Sequence, residues 1–195
     1  ASEIVKEGKW DDPSVLAVAK AYEDFAKKGY FSEQIASNVW PAGQNQELAL
    51  GTAAMYLNGS WLPNEVKDIT GEDFDWGCFS YPAVPNGKDG TDASNYGAQV
   101  FAINKNSKKA DDAFKLIQYF TKGKYDEKLS QESLGIPADS ENKEWPKQLA
   151  SVKPVMEELK VRYPWAASAE DNVDMTPILK ENFMKLCGGS ISAEE

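Results

Sequence analysis

The stretch Gly51-Thr52-Ala53-Ala54-Met55-Tyr56-Leu57-Asn58-Gly59-Ser60-Trp61 decides the expected fold class. The small and apolar residues Ala53–Leu57 suit a strand packed inside a sheet. Asn58-Gly59 tolerates positive φ and therefore predicts a reversal of the chain. Ser60 is a good N-cap, which would place Trp61 in the first turn of a helix. Because open α/β sheets bind ligands outside the carboxyl ends of their strands, this pattern predicts an aromatic platform for a small ligand.

Helix and strand signals alternate along the rest of the chain. Asp12-Pro13 begins a helix with an N-cap and a first-turn proline, and Gly29 ends it. Trp145–Lys160 is helical in pattern, and we expect Pro154 to kink or divide that helix. The other predicted elements are the buried strands Trp76–Tyr81 and Gln99–Ile103, the helices Gln46–Leu50, Leu62–Asp68, Ala110–Phe120 and Tyr125–Gln131, and a last helix that Thr176-Pro177 begins and Gly188-Gly189 ends. Together they predict an α/β fold with a central sheet flanked by helices.

Composition excludes several classes of function. The apolar fraction of 42% is ordinary for a chain with a folded core. The formal net charge of -10 argues against a nucleic-acid partner, since phosphate neutralisation needs clustered Lys and Arg. The chain has no histidine, which excludes a Ser-His-Asp triad, a His-Cys pair and a typical zinc site. No apolar run approaches membrane-spanning length.

The two cysteines, Cys78 and Cys187, show no Cys-x-x-Cys spacing. Cys78 falls in a predicted strand, and Cys187 falls on the apolar face of the last predicted helix. We interpret both as buried free thiols, with a disulfide as the alternative.

Aromatic residues supply the strongest indication of a ligand. A pyranose stacks its apolar face on an aromatic ring while polar side chains bind its hydroxyls. Four aromatic residues fall in predicted loops or at element ends rather than on apolar stripes: Trp40, Trp61, Tyr96 and Trp165. We interpret them as candidate saccharide contacts, and the alternative for each is ordinary packing under a loop.

Paired acidic residues raise the alternative of a glycosidase, which needs two carboxylates facing each other across a cleft. Most such pairs here fall at helix starts or on polar helix faces, so we do not predict an enzyme. Asp171-Asn172-Val173-Asp174 and Asp139-Ser140-Glu141-Asn142 resemble calcium loops but lack the glycine and distant glutamate of an EF-hand. We predict no metal and no cofactor.

Several motifs follow one another along nearly the whole chain. They are Gln46–Met55, Gly59-Ser60-Trp61, Phe79–Pro85, Val100–Lys108 with the helix Ala110–Phe120, Gly135-Ile136-Pro137, and Leu186–Glu195. In this order they resemble the signature segments of bacterial extracellular solute-binding proteins of ABC importers, the large family that includes maltose-binding protein. Within that resemblance, Trp61 corresponds to the tryptophan of the family's Gly-Ser-Trp. Asn95 and Tyr96 correspond to ligand-facing residues just before its Ala-Ile strand.

The resemblance implies a periplasmic-binding-protein-like (type II) lobe that is incomplete relative to the two-lobe family. It assigns 1–80 and 135–195 to a discontinuous C-terminal lobe missing its first part, and 83–134 to the N-terminal lobe. It also implies a non-catalytic protein that binds a saccharide and docks on ABC permease subunits. The implied location is the periplasm or the outer face of the cytoplasmic membrane, with lipid anchoring of the precursor.

Two other functions stay open at this point. The chain could be a stand-alone protein-interaction module, or it could bind a non-sugar solute such as a peptide or a polyamine. An incomplete lobe is expected to expose apolar surface and a sheet edge. We therefore expect either self-association or binding of a complementary N-terminal lobe.

Overall fold

A computed structural model of the chain describes residues 8–83, 88–164 and 176–195. Over these residues the structure is mainly helical. The helices are α1 (Pro13–Lys27), α2 (Ala42–Ala49), α3 (Leu62–Thr70), α4 (Ala110–Phe120), α5 (Gly123–Ser133), α6 (Val152–Glu158) and α7 (Thr176–Cys187), with one 3-10 turn (Lys147–Leu149). The strands are β1 (Ala93–Tyr96) and β2 (Val161–Pro164).

Helix α1 confirms the prediction made for its two ends. The Asp12 carboxylate accepts a hydrogen bond from the backbone N–H of Ser14 at 2.9 Å, and Pro13 occupies the first turn. This cap satisfies one backbone donor that has no partner within the helix. Beyond the C-cap Lys28, Gly29 adopts φ +69°, the left-handed conformation that favours glycine after a helix.

The chain divides into two compact units, the first formed by Ala1–Met55 and Pro164–Glu195. In this unit α1 packs against α7. Tyr22 of α1 meets Phe183 of α7 edge to face, with ring centroids 4.5 Å apart, and it stacks with Phe31 at 6.0 Å. Leu186 and Cys187 are buried at the end of α7. Aromatic packing between the two helices therefore stabilises this unit.

The second unit, Tyr56–Tyr163, carries α3, α4, α5, α6, the 3-10 turn and β1, whereas α2 lies in the first unit. Leu62 and Val66 of α3 are buried four residues apart, on one face of the helix. Leu149, in the 3-10 turn, is fully buried. Helices α4 and α5 pack together, and Tyr119 and Tyr125 stack with their ring centroids 4.1 Å apart.

A hydrogen-bonded loop follows α5 and is organised by a buried carboxylate. Asp126 accepts hydrogen bonds from the backbone N–H of Ala138 at 2.9 Å and of Asp139 at 3.1 Å. The side-chain amide of Asn142 donates a third, at 2.7 Å. Because a buried carboxylate needs such donors, these bonds fix the loop against the helix.

The only sheet in the described part of the chain has two strands, β1 and β2. The carbonyl of Asp92, just before β1, accepts hydrogen bonds from the N–H groups of Lys160 and Val161. The two strands therefore start side by side and run parallel, so their carboxyl ends lie at the same edge.

The prediction of a larger central sheet is wrong for the described residues. Three expected strands do not form: Ala53–Leu57, Trp76–Tyr81 and Gln99–Ile103. Met55, Phe79 and Val100 in these stretches are 72%, 64% and 80% exposed. A strand is defined by pairing with a neighbour, which a short apolar run cannot specify by itself. Of the predicted central sheet, the described residues show two short parallel strands in a mainly helical chain.

Several smaller predictions also change. Trp61, not Ser60, is the N-cap of α3, and it makes no side-chain capping bond. Gly59 is not among the glycines with positive φ, so the predicted Asn58-Gly59 turn with positive φ does not form. The turn in this segment is closed instead by the hydrogen bond from the N–H of Leu62 to the carbonyl of Gly59. The segment Trp145–Lys160 divides into the 3-10 turn and α6, and Pro154 lies in the first turn of α6, where its missing N–H is tolerated.

The cysteine interpretation is half confirmed. Both cysteines are free thiols, and Cys187 is buried as expected. Cys78 is exposed, because the strand expected to bury it has not formed.

Candidate functional site

Trp61 lies where its sequence motif predicted an aromatic side chain at the start of a helix. It is the N-cap of α3 and is 41% exposed, whereas Leu62 and Pro63, which follow it, are buried. The buried residues attach the helix to its unit and leave part of the indole ring accessible. A large ring on a fixed backbone, with one part open to solvent, suits stacking against a small apolar surface.

The segment before Trp61 fixes the position of the ring. A Cβ added to Gly59 would coincide with Cζ3 and Cη2 of the indole, so the ring lies directly over this glycine. The Asn58 side chain accepts a hydrogen bond from the N–H of Gly59 at 2.7 Å, and the N–H of Leu62 donates to the carbonyl of Gly59 at 3.1 Å. Glycine is required here for close approach of the ring.

Asn95 and Tyr96 are the last two residues of β1. Both are exposed, and the Tyr96 ring is 42% accessible. Trp61 belongs to the same compact unit but to a different element, the start of α3. Trp61 and Tyr96 therefore lie at element ends and are exposed, as the sequence predicted for these two aromatic residues.

The structure adds one residue that the sequence interpretation missed, Arg162 of β2. Its guanidinium carbon lies 5.2 Å from the centroid of the Tyr96 ring, within the usual range of a cation–π contact. Arg162 is the sole arginine of the chain. It could have been noticed by that rarity, but no local pattern links it to a tyrosine 66 positions earlier in the sequence.

The carboxylates of Asp92 and Asp89, which lie just before β1 in the sequence, interact with residues of the segment that contains β2. Asp92 forms an ion pair with Lys160 at 3.3 Å, and the Tyr163 hydroxyl donates to Asp89 at 2.6 Å. No ion pair to Arg162 occurs in the described residues. Among the described residues, the contact that the guanidinium makes is with the Tyr96 ring.

The remaining candidates fall elsewhere. Trp40 belongs to the first compact unit, where it is 56% exposed and precedes Pro41 through a cis peptide bond. Trp165 lies outside the described residues.

The acidic stretches considered as calcium loops have different outcomes. Asp171–Asp174 lies outside the described residues. In Asp139–Asn142, the Asp139 carboxylate accepts hydrogen bonds from the N–H groups of Gly123 and Glu141, both at 3.0 Å. These two bonds, that from Gly123 first, lower the pKa of Asp139. Across residues 8–83, 88–164 and 176–195, no group of three or more acidic, cysteine or histidine side chains is arranged to hold a metal ion.

Comparison with known proteins identifies the family. The sequence profile of the bacterial extracellular solute-binding proteins matches residues 4–153, and the chain belongs to this family. The match includes Trp40, Trp61, Asn95 and Tyr96, and ends before Arg162 and Trp165. No curated protein and no solved structure matches the chain.

Membership of this family indicates the general function of the chain. Proteins of this family are non-catalytic, and they bind solutes for import by ABC transporters. They act outside the cytoplasm. None of the helices in the described residues is long and apolar enough to cross a membrane.

Proposed function

We propose that this protein binds a saccharide and delivers it to the permease subunits of an ABC importer. The observation that carries the proposal is the partly exposed ring of Trp61, held over Gly59 at the start of α3. A pyranose has one apolar C–H face, and an indole held in this way can stack on it without reorganisation.

We assign distinct roles to the other candidate residues. Tyr96 offers a second ring, 42% exposed, and the amide of Asn95 can both donate to and accept from sugar hydroxyls. Trp40 and Trp165 are proposed as further saccharide contacts, in keeping with the resemblance of the chain to sugar-binding members of the family. Selectivity would come from the polar groups and most of the buried area from the rings.

The proposed mechanism is a shift of population between two arrangements of the family's lobes. A solute that binds the closed arrangement more tightly than the open one stabilises closure by the difference in affinity. The closed form then docks on the permease. We assign 1–80 and 135–195 to the C-terminal lobe and 83–134 to the N-terminal lobe, and we propose that the precursor is lipid-anchored.

The test is a titration calorimetry panel of neutral mono- and disaccharides, with a peptide mixture and polyamines as the non-sugar arms. We expect heat of binding from at least one saccharide, without change in the sugar as followed by chromatography. Binding of peptides or polyamines alone would show that the ligand is not a saccharide. Release of hydrolysis products would show that the protein is an enzyme and not a binding protein. The exposed apolar residues also favour a second candidate, a protein-interaction module, which would show stable protein association and no response to any solute.

A further inference from the structure

The arginine over Tyr96 bears on which saccharide this site selects. We infer that the ligand carries an anionic group, a carboxylate on the sugar, which Arg162 binds beside the Tyr96 ring. The inference rests on the proposed saccharide function and narrows it to acidic sugars such as uronic acids. The residues that carry it are Arg162 and Tyr96.

The parallel sheet places these residues at one edge. Because the carbonyl of Asp92 pairs with the N–H of Val161, β1 and β2 start together and end together. Tyr96 is the last residue of β1, and Arg162 lies within β2 with its guanidinium 5.2 Å from the tyrosine ring centroid.

The contact with the Tyr96 ring leaves the hydrogen-bond donors of the guanidinium available. Arginine presents a planar fork of N–H groups that matches the two oxygens of a carboxylate, and its stacking on an aromatic face uses none of them. Arg162 itself is exposed. A carboxylate in the plane of the guanidinium would therefore form two hydrogen bonds without displacing the ring.

Charge near the site favours an anion only locally. The chain has a formal net charge of -10, so the protein as a whole repels anions at long range. The charge of Asp92 is paired with Lys160, whereas Asp89 keeps its negative charge because its partner, the Tyr163 hydroxyl, is neutral. Arg162 supplies a permanent positive charge at the sheet, and its guanidinium lies against the Tyr96 ring.

The experiment compares each neutral sugar with its own uronic acid, for example glucose with glucuronate and galactose with galacturonate, by titration calorimetry. We expect one uronate to bind about tenfold to a hundredfold more tightly than its neutral counterpart, the usual effect of a hydrogen bond to a charged group. Arg162→Gln should remove this preference. Arg162→Lys, which keeps the charge but loses the planar fork, should retain only part of it.

Lys160→Gln is the matched control. It removes one positive charge two residues away from Arg162, on a side chain that is paired with Asp92. Because it also leaves the Asp92 carboxylate unpaired, it should weaken uronate binding somewhat, but much less than Arg162→Gln does. Melting curves verify that all variants fold. Equal losses in Lys160→Gln and Arg162→Gln would overturn the inference, because general electrostatics would then explain the effect. Tighter binding of the neutral sugar would overturn it and leave the saccharide function standing. A failure of all neutral and acidic sugars to bind would overturn both.

Discussion

At the scale of single residues, the contact between Gly59 and Trp61 explains why the ring can serve as a platform. The indole lies where a Cβ of residue 59 would be, so only glycine allows this position of the ring. Leu62 and Pro63 are buried just beyond it, so the backbone that carries the ring is fixed. A preorganised ring binds without the entropic cost of ordering a mobile side chain.

This contact predicts the effect of Gly59→Ala. The added methyl group must displace the indole, so saccharide affinity should fall about two- to tenfold while the protein remains folded. Titration calorimetry beside a melting curve measures both quantities. Gly77→Ala is the control, because a Cβ there would meet no atom within 4 Å. Unchanged affinity in Gly59→Ala would show that the observed ring position is not the one used in binding.

Asp139 predicts a dependence of stability on acid. Hydrogen bonds from the N–H groups of Gly123 and Glu141 lower its pKa below the ordinary value of 3.8. Its contribution to stability is therefore complete above pH 3.8 and is lost as the pH falls through the lower, folded-state pKa. Asp139→Asn should be less stable than wild type at neutral pH, and the difference should shrink in acid. Urea unfolding at a series of pH values measures it, with exposed Asp75→Asn as control. A difference that is constant with pH would contradict this account.

The residues of the candidate site could be predicted only where neighbouring residues in the sequence indicated their position. Turn and cap residues around Trp61 indicated a helix start there, and Tyr96 was predicted to lie off the apolar stripes; both residues are exposed. Arg162 could not be predicted in the same way. Its contact with Tyr96 depends on the pairing of two strands from distant parts of the sequence, which no local pattern encodes.

At the scale of elements, α3 supports the Trp61 ring through its buried face. Val66 is 1% exposed and lies one turn after the buried Leu62. Val66→Ala should lower the free energy of unfolding by about 2 kcal/mol, since it removes buried methyl groups and leaves a cavity. Ile69→Ala on the same helix is the matched control, because Ile69 is 47% exposed and its loss should cost much less. Denaturant titration compares the two, and equal losses would mean that α3 does not pack through the face containing Val66.

Helices were predicted far better than strands. Asp12-Pro13 and Gly29 marked the ends of α1 because caps and left-handed glycines act within a few residues. Ala110–Phe120 was predicted with the bounds that α4 has in the structure. The stretches Ala53–Leu57, Trp76–Tyr81 and Gln99–Ile103 are too short for periodicity to show whether a partner strand exists. Strand formation depends on distant pairing, and this dependence is why the central sheet was predicted wrongly.

At the scale of the whole molecule, these extended stretches leave large apolar side chains accessible. Leu57, Phe79 and Phe101 are 74%, 64% and 61% exposed and belong to no strand in the described residues. Clustered exposed apolar residues favour association. We expect the mass measured by light scattering to rise with protein concentration, together with strong binding of an apolar dye. Leu57→Lys with Phe101→Lys should reduce both signals. A monomer at every concentration with little dye binding would contradict this prediction.

The central claim, that a saccharide stacks on Trp61, is tested most directly by titrating Trp61→Ala with the cognate sugar beside a melting curve. Trp61 is 41% exposed, so removal of its ring should cost little stability. Loss of the stacked ring, with the apolar area it covers on the ligand, should lower affinity roughly ten- to a hundredfold. A large drop in melting temperature with unchanged affinity in the folded fraction would contradict the account, because Trp61 would then be a packing residue and not the platform for the sugar.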